Sequence, residues 1–304
     1  MGKPYADRKE TVAAPNAQNG SQLVPRQMFH KHISGTHKLL DFKLDEVWRY
    51  RDLVVLFTHR NFTVKFKQTI LGPLWLFITP MFTSLMYAFV FGNIANISTD
   101  GVPKILFYLV STAAWTLFSS SITGCANTFT SNAQVMSKVY FPRLVMPIST
   151  IMSSILQFGL QMIPVLVFYL YYLATGAITT DPVQWLLIPG CLIHLGLIGL
   201  GFGIIVSALT TRYRDLAVLV NFGVSLWMYA SPVVYPLSAI PEAFRQLMLL
   251  NPVTVPIELL RQALWQHSAI GLGDVALSWA ITIPVLLLGI ILFNHVERVF
   301  ADTV

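Results

Sequence analysis

Six stretches of this chain, at residues 71–91, 105–129, 145–174, 185–209, 216–235 and 275–293, contain no Asp, Glu, Lys or Arg. Each is long enough to cross a hydrocarbon core that needs about 20 apolar residues. The whole chain agrees: it is 55% hydrophobic and 11% charged, with mean hydropathy +0.62, where soluble domains carry roughly 25% charge. The expected fold is an all-α polytopic membrane protein with six transmembrane helices. Cys125 and Cys191 both fall inside apolar stretches, where a thiol behaves as a small hydrophobe, so neither a disulfide nor a cysteine metal site is expected.

The net charge of +6 is unevenly placed. Up to Ile70 there are 12 Lys/Arg against 6 Asp/Glu, and the remainder holds 8 against 8. A basic region before a first span is compatible with nucleic acid, but such residues more often hold their end of the chain in the cytoplasm. With six spans, one side collects the 12 N-terminal basic residues with Lys138, Arg143, Arg212, Arg214 and Arg298, which makes 17; the other holds Lys104, Arg245 and Arg261. Both termini are therefore expected in the cytoplasm. The leading polar segment has no apolar core of a signal peptide, so cleavage is not expected.

The connections divide the chain further. Residues 1–38 are polar, rich in Pro, Asn and Gln, and read as a flexible extension. Residues 39–70 have helical periodicity, with Asp45, Arg49, Asp52, His59 or Arg60, Thr63 and Lys67 on a stripe apart from Leu44, Val47, Trp48, Val54, Val55 and Phe62. They are expected to form an amphipathic interfacial helix whose Lys65 and Lys67 sit at the headgroups, after which Gly72-Pro73 turns the chain into the bilayer. Residues 71–304 then form the six-span domain. Residues 130–142 suit a short cytoplasmic helix. Residues 236–274, broken by Pro241, Pro252 and Pro256, suggest two amphipathic helices dipping into the outer interface as a re-entrant hairpin.

Several chemistries lack their residues. There is no GxxxxGK[ST] phosphate loop, no HExxH, no CxxC pair and no GxSxG. No metal site is expected, and His30, His32 and His37 read as part of the solvated extension. His194 alone is ionisable within a span; it is either functional or a neutral imidazole bonded to a helix carbonyl. A carrier coupled to protons or sodium keeps carboxylates or broken helices in its spans. Their scarcity here points to a membrane subunit whose energy comes from another polypeptide.

The segment "YRDLVVLFTHRNFTVKFKQTILGPLW", with "TRYRDL" after the fourth span, "SPVVYP" closing the fifth and "NPVTVPIELLRQALW" beyond it, resembles the membrane subunits of type-2 ABC exporters for polysaccharides. The resemblance covers about residues 42–300 and is strongest to the permeases of O-antigen export; capsule and teichoic acid permeases share much of the pattern. It implies a homodimer in the bacterial inner membrane with two copies of a cytoplasmic ATPase. ATP and Mg²⁺ would be bound by that partner, so this chain needs no cofactor and no catalytic site of its own. The cargo implied is a glycan linked to polyprenyl pyrophosphate. The long extension before Lys38 departs from the compact family pattern.

Beside this resemblance, the residues offer candidate sites. Arg60, Lys65 and Lys67 can attract a pyrophosphate or anchor the helix by snorkelling. Asn132, Ala133, Gln134, Val135, Met136 and Lys138 are candidates for a coupling helix on the ATPase, with Asp45 and Arg49 on a second contact. Sugars stack on aromatic rings by their C–H faces and exchange hydrogen bonds with small polar groups. Trp75, Tyr87 and Phe91 of span one and Asn221, Trp227 and Tyr229 of span five are therefore expected to line a pore at the dimer interface. Tyr169, Tyr171 and Tyr172 read as an interfacial belt. A permease for a drug or small lipid, and an ATP-independent channel or scaffold, are the alternatives.

Overall fold

The computed structural model describes residues 44–136, 138–139, 141–213, 215–266 and 270–301. The N-terminal extension with its three histidines, the first residues of the expected interfacial helix, and Arg214 lie outside them. Every regular element among the described residues is helical.

The basic leader forms two helices, α1 (Leu44–Arg49) and α2 (Arg51–Phe66), jointed at Tyr50. Phe57 and Thr58 of α2 are buried against α6 (Val145–Ala174), while Trp48 is 71% exposed and Val55, Leu56 and Val64 are also bare. Bare apolar side chains on a basic helix suit a headgroup boundary. After α2 the backbone passes through left-handed Gln68 and Gly72, and Pro73 opens a 3₁₀ turn into α3 (Trp75–Tyr87). The glycine adopts positive φ without strain, and proline at a helix start loses no hydrogen bond. The apolar run continues beyond residue 91 as a π-helix over Ala88–Ile94. Lys104 closes that segment by donating to Gly92 O at 2.7 Å and Asn93 Oδ1 at 2.8 Å.

The centre of the molecule is α4 (Lys104–Ala126), which packs against α3, α6, α7 (Leu187–Arg212), α8 (Leu216–Tyr229) and α10 (Thr254–Trp265). Without lipid-excluding hydrophobic attraction between spans, close backbone approach has to supply the packing. Here Gly199 and Gly203 of α7 face Ser121 and Cys125 of α4 so closely that a Cβ on either glycine would lie 2.7 or 2.6 Å from the facing Cβ. On its other side α7 packs against α11 (Leu272–Ala301), where a Cβ on Gly289 would meet Gly201 O at 2.8 Å.

Five helical segments are long and apolar enough to span: Gly72–Ile94, Lys104–Ala126, Val145–Ala174, Pro182–Thr210 and Leu272–His295. The expected fifth span over 216–235 differs. Its helix, α8, has 14 residues, about 21 Å at 1.5 Å per residue against a core of about 30 Å. Pro232 disfavours helical geometry at Ser231, and the helix ends at Tyr229. Asn251 caps that end, its Nδ2 donating to Ala230 O at 3.1 Å and Ser231 Oγ at 2.9 Å.

Two helices follow, α9 (Glu242–Leu249) and α10. The second is buried almost throughout. Arg261, counted above as a loop cation, is 1% exposed: its Nη1 donates to Glu258 Oε1 at 2.7 Å, and its Nε and Nη2 donate to Ser111 Oγ at 3.1 and 2.6 Å. Tyr169, expected in an interfacial belt, is buried beside Trp185. The α6 helix carries it inward while the neighbouring Tyr171 stays exposed.

Candidate functional site

Polar or aromatic residues recur at every fourth position on one face of four helices. The rows are Trp75, Thr79 and Thr83 on α3; Thr112, Thr116 and Ser120 on α4; Ser153, Gln157 and Gln161 on α6; and Asn221, Ser225 and Tyr229 on α8. A spacing of four stacks side chains one turn apart on the same side of a helix. The fold turns these rows toward shared space. Three neighbouring cavities of about 450, 370 and 390 Å³ are lined by them, and Ser120 lines all three.

The first cavity lies beside α2 and α5 (Thr128–Met136). Arg60 Nη2 donates to Asn132 Oδ1 at 2.6 Å and to Asn61 Oδ1 at 3.0 Å, with the guanidinium carbon 4.7 Å from the Phe57 ring centre. Arg60 thereby ties α2 to α5. Val135 and Met136 pack against Phe57 and Phe141, so the two segments expected to meet an ATPase stand side by side. The expected 130–142 helix starts earlier, at Thr128, and Lys138 falls in the turn that follows it. Asp45, Arg49, Gln134 and Lys67 are exposed.

Lys65 borders both the first and second cavities, and its Nζ donates to Gln157 Oε1 at 3.1 Å. Lys65 is exposed as a residue, yet desolvation by the surrounding protein lowers its pKa from the ordinary value. Arg60 and Lys65 are the charged groups along the three linings, and no carboxylate is among them.

The expected pore residues separate into two sets. Trp75 lines the second cavity; Asn221 and Tyr229 line the third. Tyr87, Phe91 and Trp227 line none of the three. Tyr87 donates to Met228 Sδ at 3.5 Å and meets Phe91 edge-on at 5.5 Å. Trp227 stands edge-on to Phe118 and Phe202 at 5.1 and 5.0 Å, its Nε1 donating to Asn251 Oδ1. Trp227 thereby ties α8 to α4 and α7, and Tyr87 ties α3 to α8. The polar rows of α4 and α6 were not singled out from the sequence, although their four-residue spacing in chargeless spans was a visible signal.

His194 Nε2 lies 2.8 Å from Thr282 Oγ1 and 3.3 Å from Ser278 Oγ, with its ring stacked 4.3 Å from Trp279. Its partners are α11 hydroxyls, whereas a helix carbonyl was the expected partner. Among the described residues no group of three or more His, Cys, Asp or Glu comes together to hold a metal.

Residues 52–265 match the ABC-2 type transporter family. The chain is 30% identical over 253 residues, 83% of its length and 94% of the relative's, to an "O-antigen export system permease protein RfbA" of Klebsiella pneumoniae. A protein of that name from Myxococcus xanthus is 29% identical over 245 residues, covering 77% of this chain and 92% of the relative. With the family match extending from α2 through α10, and spanning helices that carry three of the four polar rows, this chain belongs to the ABC-2 type transporter membrane family.

Proposed function

We propose that the chain is the permease subunit of an ATP-driven exporter that carries a polysaccharide, linked to polyprenyl pyrophosphate and of the O-antigen kind, across the bacterial inner membrane. Two copies face each other through α3 and α8. Two copies of a cytoplasmic ATPase bind ATP and Mg²⁺ and drive the movement through α5, with α1 and α2 as a second contact. Both termini are cytoplasmic, so Arg60, Lys65 and Lys67 meet the pyrophosphate first. The fifth crossing is made by α8 with the turn after it, and α9 and α10 form a re-entrant cap. Phe244 and Leu247 of α9 are exposed and suit an interfacial position.

The observation that carries this reading is the lining: rows of polar or aromatic groups one turn apart on four helices, headed by two cations. Repeated weak contacts of that kind let a polyhydroxylated chain exchange partners as it slides. A small apolar cargo would leave the same groups unpaired. The printed names of the relatives point the same way.

The test is reconstitution with the partner ATPase in proteoliposomes. Lipid-linked glycan is expected to raise ATP turnover several-fold and to become accessible to an impermeant glycosidase on the far side. The permease alone, lacking a phosphate loop, is expected to hydrolyse nothing. ATP turnover that ignores lipid-linked glycan, or that persists without the ATPase, would remove this reading.

A further inference from the structure

Where α2, α4, α5 and α6 meet, the first cavity brings two cations together with no carboxylate on its lining. Both cations rest on neutral amide oxygens: Lys65 donates to Gln157 Oε1 at 3.1 Å, and Arg60 donates to Asn61 and Asn132. A cation drawn away from a carboxylate leaves a second charge unpaired. A cation drawn away from an amide leaves only a neutral acceptor, which water satisfies, so an incoming anion exchanges with it readily.

The two amides occupy different edges of the Arg60 guanidinium. Asn61 Oδ1 sits on the side edge, accepting from Nε at 3.4 Å and Nη2 at 3.0 Å. Asn132 Oδ1 accepts the other Nη2 proton at 2.6 Å, on the end edge, where Nη1 makes no hydrogen bond among the described residues. An arginine that grips a phosphate at two points uses two parallel N–H groups. Either pair includes an Nη2 proton. The side edge is closed by Asn61, the next residue on the same helix, whereas the end edge is closed only by Asn132, which belongs to α5. Asn132 is held in that orientation by its own Nδ2, which donates to Thr128 O at 3.0 Å.

We infer that Asn132 is a cargo-sensing latch: a pyrophosphate ester gripped at two points by the end edge of Arg60 displaces Asn132 and releases the polar hold of α2 on α5. The inference rests on the export reading and adds regulation to its site. Val135 and Met136 keep α5 against Phe57 and Phe141, while its attachment to Arg60 reports whether cargo is present. Lys65, drawn from Gln157 in the same way, supplies the second positive charge to the pyrophosphate.

The test uses the permease with its ATPase in phosphatidylcholine nanodiscs. It reads amide hydrogen exchange in α5 on adding bare polyprenyl pyrophosphate, and the concentration of the same lipid carrying a short glycan that half-saturates ATP turnover. In the native complex the bare lipid is expected to speed α5 exchange by at least roughly threefold, and neither uncharged polyprenol nor phosphatidylglycerol at the same mole fraction should do so. Ligand and latch compete for one donor, so altering the latch alters the apparent affinity. Asn132→Leu removes the acceptor and should lower the half-saturating concentration by about tenfold, the worth of one hydrogen bond to a charged group, with α5 exchange already fast before lipid is added. Asn132→Asp puts a carboxylate on the latch and should raise that concentration by at least about tenfold. Asn127→Asp, which adds the same charge elsewhere on the lining, should raise it less. A merely structural role would move both Asn132 variants the same way. Shifts in one direction, equal shifts from the two aspartates, or release of α5 by polyprenol or phosphatidylglycerol would each overturn the inference and leave the export reading standing. If an Asn132 variant folds poorly, the native complex still decides: unchanged α5 exchange on adding polyprenyl pyrophosphate would overturn the inference. ATP turnover silent toward the lipid-linked glycan would remove the export reading and the inference together.

Discussion

At the scale of single residues, the Glu258–Arg261 pair has the largest predicted consequence for stability. The guanidinium carbon sits 3.9 Å from the Phe107 ring centre, and besides Ser111 it reaches Val233 O at 3.3 Å, while Glu258 Oε1 accepts from Leu237 N at 3.1 Å. One ion pair thus pins α4, the turn after α8, and α10 to one another. Both side chains are nearly fully buried, so removing one partner strands a charge and costs about 3–5 kcal/mol, whereas replacing both by apolar groups of similar volume is close to neutral. Arg261→Met and Glu258→Gln should each lower the melting temperature of the detergent-solubilised protein, and Arg261→Met with Glu258→Leu should recover most of the loss. A double variant no better than the single ones would show that this pair is not the stabilising unit. Positive-inside counting treats arginine as a loop marker; here the same residue type is structural, because α10 folds back into the protein.

At the scale of elements, α5 is a short helix with a defined grip. Val135 and Met136 pack under Phe57 and Phe141, and Asn132 is held by Arg60, so displacement of α5 would be passed to α2 and α6. A flexible replacement would break that transmission while leaving the spans intact. Exchanging residues 133–138 for a Gly/Ser linker should therefore reduce export to below roughly a tenth with the membrane level of the chain unchanged, since surface-loop exchanges of this length cost little in closure entropy. Export at the original level would exclude α5 as the coupling element. The other element of consequence is α8, whose 14 residues stop where Asn251 caps the last turn. Hydropathy alone carried the expected span on to residue 235 because Val233 and Val234 are as apolar as any helix interior, yet both are buried in the turn.

At the scale of the whole molecule, the four polar rows make a prediction about access. Both native cysteines are buried and offer a low labelling background. Single cysteines at Thr79, Thr83, Asn221 and Ser225 should react with a polar thiol reagent in the transporting complex. Cysteines at Leu85 and Leu226, exposed on other faces of the same helices, should react at least several-fold more slowly, being met by lipid or by the second copy. Uniform labelling around α3 and α8, or none, would count against a water-accessible route along these faces. That the chain is helical and spans a membrane was determined by the sequence itself, because a run of about 20 chargeless apolar residues is a local property that the bilayer reads directly. The leader's turn at Gly72-Pro73 and the family motifs were legible for the same reason: each depends only on neighbours in the chain. Which polar row faces which was decided by the tertiary structure. The rotation of α4 relative to α6 and α7 depends on contacts such as Gly199 with Ser121 and Gly203 with Cys125, between residues far apart in sequence. The burial of Arg261 and Gln161 and the end of α8 at a cap contributed by Asn251 arise in the same way, since burial and hydrogen-bond satisfaction are properties of the assembled packing and have no counterpart in a single helix.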